Sequence, residues 1–182
     1  MSCAIWRFAP EIPFPPYAYV RGRHPHPTRS PAGHSYGKPV ALRTRLEPER
    51  WEVCQPYLYG IDLYNYGYYW EAHEVWEGLW HGCGRSGMTA DLLKGLIALT
   101  AAGVKLREGS ERGLRQHAGR AQALFDRVAQ ALGPRDVHYL GVDPGVLSQA
   151  AAAIARDPVT LMAGPNDALP FVLRPEQYCP PA

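Results

Sequence analysis

Between Tyr68 and His81 the chain reads Y-Y-W-E-A-H-E-V-W-E-G-L-W-H, with three glutamates, two histidines and three tryptophans in fourteen residues. A surface helix gains little from so many tryptophans. A core helix does not carry Glu71, His73, Glu74 and Glu77 without partners, because an unpaired buried charge is strongly disfavoured. At about 100° per residue Trp70, His73, Glu74, Glu77 and His81 fall within an arc of roughly 120°, so one helix face presents imidazole beside carboxylate. His73 and Glu77 stand one turn apart, the spacing at which two side chains of one helix share a metal ion. The run His73-Glu74-Val75-Trp76-Glu77 spells H-E-x-x-E, a departure from the H-E-x-x-H of zinc peptidases in which a carboxylate replaces the second imidazole.

Three readings follow. In the first, the face is a small-ligand or metal-binding pocket. His73 and Glu77 hold a divalent ion such as zinc, with His24, His26 or His34 of the N-terminal segment as further ligands. In the second, Trp70, Glu71, His73, Glu74 and Glu77 form a buried polar network, and the protein is a non-enzymatic helical interaction module. That reading expects an exposed aromatic patch around Trp51, Tyr57 and Trp80. In the third, Glu74 is the general base of a metal-dependent hydrolase. Lys94, from the next apolar helix, either pairs with a motif glutamate or carries its ammonium to the surface. Whether the chain is an enzyme stays open.

The elements that must position these residues are helical. Pro48 suits a first helical turn, and Pro56 kinks or restarts the helix before the apolar stretch Tyr57 to Tyr64. Asn65-Tyr66-Gly67 stops it, and the motif helix follows so closely that the two must pack as a hairpin. Gly82 to Gly87 is a loop without the G-x-x-x-x-G-K-[ST] phosphate pattern. A third helix is expected over Thr89 to Arg107, with Gly95 and Gly103 as small faces for close approach. A fourth is expected from a Ser110 cap to about Leu132, stopped by Gly133-Pro134, with His117 as a boundary residue. A fifth runs from Asp143-Pro144 to about Arg156. No sheet pattern is present. The expectation is all-α, a single compact bundle of about five helices over residues 47–157, between an extended arm (1–46) and an extended tail (158–182).

The arm holds Pro10, Pro13, Pro15, Pro16, Pro25, Pro27, Pro31 and Pro39, a density that forbids regular structure. It also holds Trp6, Phe8, Phe14, Tyr17, Tyr19 and Tyr36, which supply apolar area for docking. Its seven basic residues (Arg7, Arg21, Arg23, Arg29, Lys38, Arg43, Arg45) face Glu11 alone, whereas the rest of the chain carries twelve basic and sixteen acidic residues. A basic arm on an acidic body is expected to lie against that body. Nucleic-acid binding through the arm ranks behind a small molecule or a protein partner, a second copy of the chain in a homodimer included. Cys3, Cys54, Cys83 and Cys179 form no C-x-x-C pair and have no recognisable histidine partner motif, so a zinc ribbon and thiol nucleophile chemistry lack support. No secretion signal or membrane span is recognised, and a cytoplasmic protein with reduced thiols is expected.

At Asn65-x-Gly67-x-Tyr69-x-Glu71-Ala72-His73-Glu74-x-Trp76-Glu77 the sequence resembles an uncharacterised prokaryotic family catalogued as a domain of unknown function, number 309. The likeness extends through Lys94-Gly95-Leu96-Ile97 and Gly103 to Gly109, covering roughly residues 55 to 130. The resemblance implies a small all-helical fold and no assigned activity. It carries nothing over to the arm, which looks like an extension found in some relatives. A looser likeness to tetratricopeptide helix pairs rests on the hairpin alone, since no second copy at about a 34-residue period is found.

Overall fold

The computed structural model describes residues 6–38, 44–133, 136–164 and 168–176. Cys3, Pro39, Arg43, Pro134 and Cys179, named above, fall outside them. A short 3-10 helix, Pro48–Val53, leads into α1 (Gln55–Asn65), α2 (Tyr69–Gly82), α3 (Met88–Arg107), α4 (Glu111–Leu132), α5 (Pro144–Arg156) and a single short helix, α6 (Pro158–Ala163). No strand occurs among the described residues; an isolated backbone bridge joins Tyr139 to Val142 across a tight turn. The protein is all-α, and each long helix packs mainly on its neighbour in sequence, α1 on α2, α2 on α3 and α3 on α4, with α5 against α4.

Local chemistry sets the ends. Pro56 sits in the first turn of α1, where its missing N–H costs nothing. Gly67 takes φ 80°, a left-handed turn that lets α2 fold straight back on α1. The Ser110 hydroxyl accepts from Gly113 N to cap α4, and the Asp143 carboxylate accepts from Gly145 N and Val146 N to cap α5. The tail departs from the extended course expected from residue 158 onward. Asp157 accepts a hydrogen bond from Thr160 N and Pro158 fills the first turn, so α6 starts on the same Asp-Pro signal as α5.

Two tryptophans and four small residues set the close contacts between neighbouring elements. Trp76 is fully buried, and its indole N–H donates to the Tyr57 carbonyl at 3.3 Å. Gly103 of α3 lies against the Tyr69 ring, where a Cβ would come within 2.5 Å of it, and Gly95 lies as closely on Phe125. Gly60 and Ala72 are likewise buried in the α1–α2 contact. Trp51 packs beside Tyr57, and both are buried (7% and 0% exposed). The aromatic patch expected around Trp51, Tyr57 and Trp80 therefore does not form: two of the three rings belong to the core.

The arm, basic and proline-rich, lies on the body. Buried Asp62 of α1 accepts from Phe8 N (2.7 Å), Ala9 N (2.9 Å) and Arg7 Nε (3.3 Å). Phe14 is stacked on Tyr68, and the Arg7 guanidinium lies 4.0 Å from the centre of its ring. Tyr59 donates its hydroxyl to Pro13 O at 3.0 Å. Between these anchors the arm's backbone is tied by its own turns, among them Ser30 N to His26 O and Ser35 N to Pro27 O.

Candidate functional site

The motif residues separate by what they hold. Asn65 clamps the tail, donating to Leu173 O and accepting from Leu173 N, each at 2.8 Å. The Tyr69 hydroxyl accepts from Leu169 N at 2.7 Å. Glu71, 5% exposed, anchors the arm through Oε1, which accepts from Tyr19 N at 2.9 Å and lies 3.1 Å from His34 Nε2. Trp76 fills the core. His73, Glu74 and Glu77 are left, and they stand together: one ligand atom from each lies within 4.8 Å of the others.

The trio runs across α2 from His73, which faces α3, to Glu74, which borders the arm. His73 and Glu77 are half-buried and Glu74 is exposed. Among the described residues neither glutamate takes part in a hydrogen bond or ion pair. His73 is oriented from α3. Thr100 donates its hydroxyl to Ile97 O at 2.7 Å, which turns a lone pair toward His73 Nδ1 at 3.5 Å. A proton on Nδ1 suits this contact and leaves the Nε2 lone pair for a ligand.

The electrostatics suit a cation. Burial lowers the His73 pKa from 6.5, against the pull of Glu77 and the Ile97 backbone, so the imidazole is neutral at neutral pH. Glu74 is exposed as a residue, yet its pKa is raised from 4.5, first by desolvation of its carboxyl and then by the like charges of Glu77 and Glu71. His117 of α4 lies near enough to feel His73; its pKa is lowered by burial, then by Arg120, Lys105 and His73. Three atoms bound to one ion at about 2.1 Å would sit about 3.4 Å apart, so rotation of the two glutamate side chains has to close the cluster by roughly 1 Å.

Other residues on the expected site lie elsewhere. His81 accepts from Arg85 Nε at 2.9 Å, at the far end of α2. Lys94 pairs with no motif glutamate; its ammonium sits 5.1 Å from the centre of a Trp80 ring, the longer reach of the side chain along α3 favouring the aromatic face. The arm imidazoles do not join His73 either. His24 stacks on Tyr17, His26 and Tyr19 meet Trp70 edge-on, and His34 goes to Glu71, because Asp62 and Glu71 draw the arm across the opposite flank of α2.

On that flank the arm and the hairpin enclose a cavity of about 360 Å³, lined among others by Tyr59, Trp70, Glu71 and Glu74. Sequence reasoning passed over Asp62 and Thr100. The signal for Asp62 was a carboxylate within the otherwise apolar Tyr57 to Tyr64 stretch; for Thr100 it was a hydroxyl among the buried leucines of α3.

No helix among the described residues is long and apolar enough to cross a membrane. No curated protein and no solved structure matches the chain. Residues 57–116 match the family model described as Domain of unknown function (DUF309), a segment that takes in nearly all of α1, α2 and α3 and the start of α4, with Asp62, Glu71 and the His73 cluster inside it. The arm and tail lie outside the match, and it is the segment 57–116, the helical hairpin with α3, that belongs to the DUF309 family.

Proposed function

We propose that the protein binds a divalent metal ion, zinc foremost, through His73, Glu77 and Glu74. One observation carries the reading: among the described residues Glu74 and Glu77 make no hydrogen bond or ion pair, and with His73, which Thr100 holds from α3, they converge to within 4.8 Å. A structural polar network would pair them with each other or with backbone, as it pairs Asn65, Tyr69 and Glu71. One imidazole and two carboxylates make a nitrogen–oxygen set suited to a first-row dication, and three protein ligands leave positions for water or a small ligand. With Glu74 serving as the third ligand, no separate base stands ready, which favours binding over hydrolysis. The free thiols Cys54 and Cys83 fit a reducing, cytoplasmic setting.

The test is X-ray absorption of the zinc-loaded protein. The expected first shell is nitrogen and oxygen at about 2.0–2.2 Å with one imidazole contribution. A sulfur shell at about 2.3 Å would assign the metal to the cysteines and overturn the reading.

A further inference from the structure

The arm-facing flank of α2 carries a second feature, which shares Glu74 with the trio. Glu71 is 95% buried by its 5% exposure, and although its Oε1 holds the arm, its Oε2 has no hydrogen-bond partner among the described residues. Such an oxygen is costly to leave unmade. The Glu71 side chain lines the cavity between the arm and the α1–α2 hairpin, with Oε2 itself covered; the cavity's volume of about 360 Å³ lies at the small end of small-molecule pockets. Glu74 lines the same cavity one helical turn on, so the pocket presents two carboxylates. Phe14, Tyr59 and Trp70 supply aromatic walls. The exposed ammonium of Lys38 also belongs to the lining, the one lysine or arginine in it.

We infer that this cavity is a binding site for a small organic cation, a primary ammonium group on a short apolar body. Once the Glu71 carboxylate turns toward the cavity, the ammonium supplies the N–H donor that Oε2 lacks, and its charge offsets those of Glu71 and Glu74. A charge-assisted bond in this dry corner is stronger than one in water. The aromatic and proline walls accept the apolar body, and the ring faces favour a cation over a neutral molecule of the same shape. A carboxylate ligand would meet Glu71 and Glu74 with its own charge, which selects against anions. The arm forms one side of the site, so the pocket exists only while Asp62 and Glu71 hold the arm down.

The inference does not rest on the metal reading, and the experiment separates the two. Full-length protein in chelator is titrated with n-butylammonium chloride while its amide and indole N–H signals are followed by NMR, with sodium butyrate and sodium chloride as matched controls. Saturable shifts at the Trp70 indole and the Tyr19 and Glu71–Val75 amides are expected, with a dissociation constant on the order of 1–10 mM for so small a probe. Glu71→Gln should weaken binding about tenfold, Glu74→Gln should weaken it severalfold, and His73→Ala should leave it unchanged. Because Glu71 also holds the arm, Glu74→Gln, which breaks no contact of the fold, decides the matter if Glu71→Gln loosens it. Shifts that grow linearly without saturation, an equal response to butyrate, or wild-type affinity in Glu74→Gln would overturn the inference.

Discussion

At the scale of single residues, the proposal turns on His73, held by Thr100, and on two glutamates with no hydrogen-bond or ion-pair partner among the described residues. Glu74 and Glu77 are like charges one turn apart on α2, and they repel in the metal-free protein. Glu74→Gln should therefore raise metal-free stability by about 0.2–0.5 kcal/mol while weakening zinc binding, a combination readable as melting temperatures with and without zinc. Loss of stability in the metal-free variant would mean that Glu74 has a structural partner. The pH dependence has a sign. His73 must be neutral to bind a metal, and its lowered pKa keeps it so below 6.5, whereas Glu74 takes its proton above 4.5. Affinity should be level down to about pH 6.5 and decline below it as protons compete for both groups. In the metal-free fold the two groups oppose each other. The unfolded chain protonates His73 at its ordinary 6.5 and the folded chain only lower, so the stability His73 confers is lost as pH falls through its folded value. Glu74 holds its proton above 4.5 when folded, so acid relieves its repulsion. His73→Asn should remove the first effect alone, leaving a smaller acid-dependent loss in thermal melts.

At the scale of elements, close helix approach is bought by small residues, and this can be tested with one methyl group. In Gly103→Ala a Cβ would press into the Tyr69 ring at the α2–α3 contact, which should cost about 1–3 kcal/mol. Gly119→Ala on α4 meets nothing within 4 Å and should stabilise by about 0.5–1 kcal/mol, since alanine restricts the unfolded chain and favours helix. Denaturant midpoints of the two variants should move in opposite directions. Much at this scale was legible because it is local. Ser110 and Asp143 announce helix starts to the residue, Gly67 announces the turn, and the apolar rows of α3 and α4 give their period directly. The α6 start at Asp157-Pro158 repeats the Asp143-Pro144 signal, but the five further prolines of the tail (Pro165, Pro170, Pro175, Pro180 and Pro181) masked it.

At the scale of the whole molecule, the arm is the second structural layer, and what it touches could not be read from spacing. His34 meets Glu71 across thirty-seven positions and Phe8 meets Asp62 across fifty-four, and no periodicity links such pairs. The charge imbalance indicated that the arm lies on the body, but which flank of α2 it covers depends on where two buried carboxylates point. That is why the arm histidines drew attention as metal ligands and ended beside Tyr17, Trp70 and Glu71. Asp62→Ala should release the arm: it strands the Phe8 and Ala9 N–H groups and leaves Arg7 without its carboxylate, at a cost of about 3 kcal/mol. Limited proteolysis should then cleave within residues 6–38 while α2 to α4 stay protected; an arm that resists cleavage in Asp62→Ala would show that its aromatic contacts suffice.

The most direct test of the central claim is calorimetric titration of the metal-free protein with zinc, beside His73→Ala and Glu77→Ala, with helix content followed by circular dichroism. Stoichiometric binding by the wild type, lost in both variants while both remain helical, is the result expected from a site the fold does not need. Wild-type binding retained in both variants, or both variants unfolding without any zinc bound by the wild type, would contradict it and return the trio to the core.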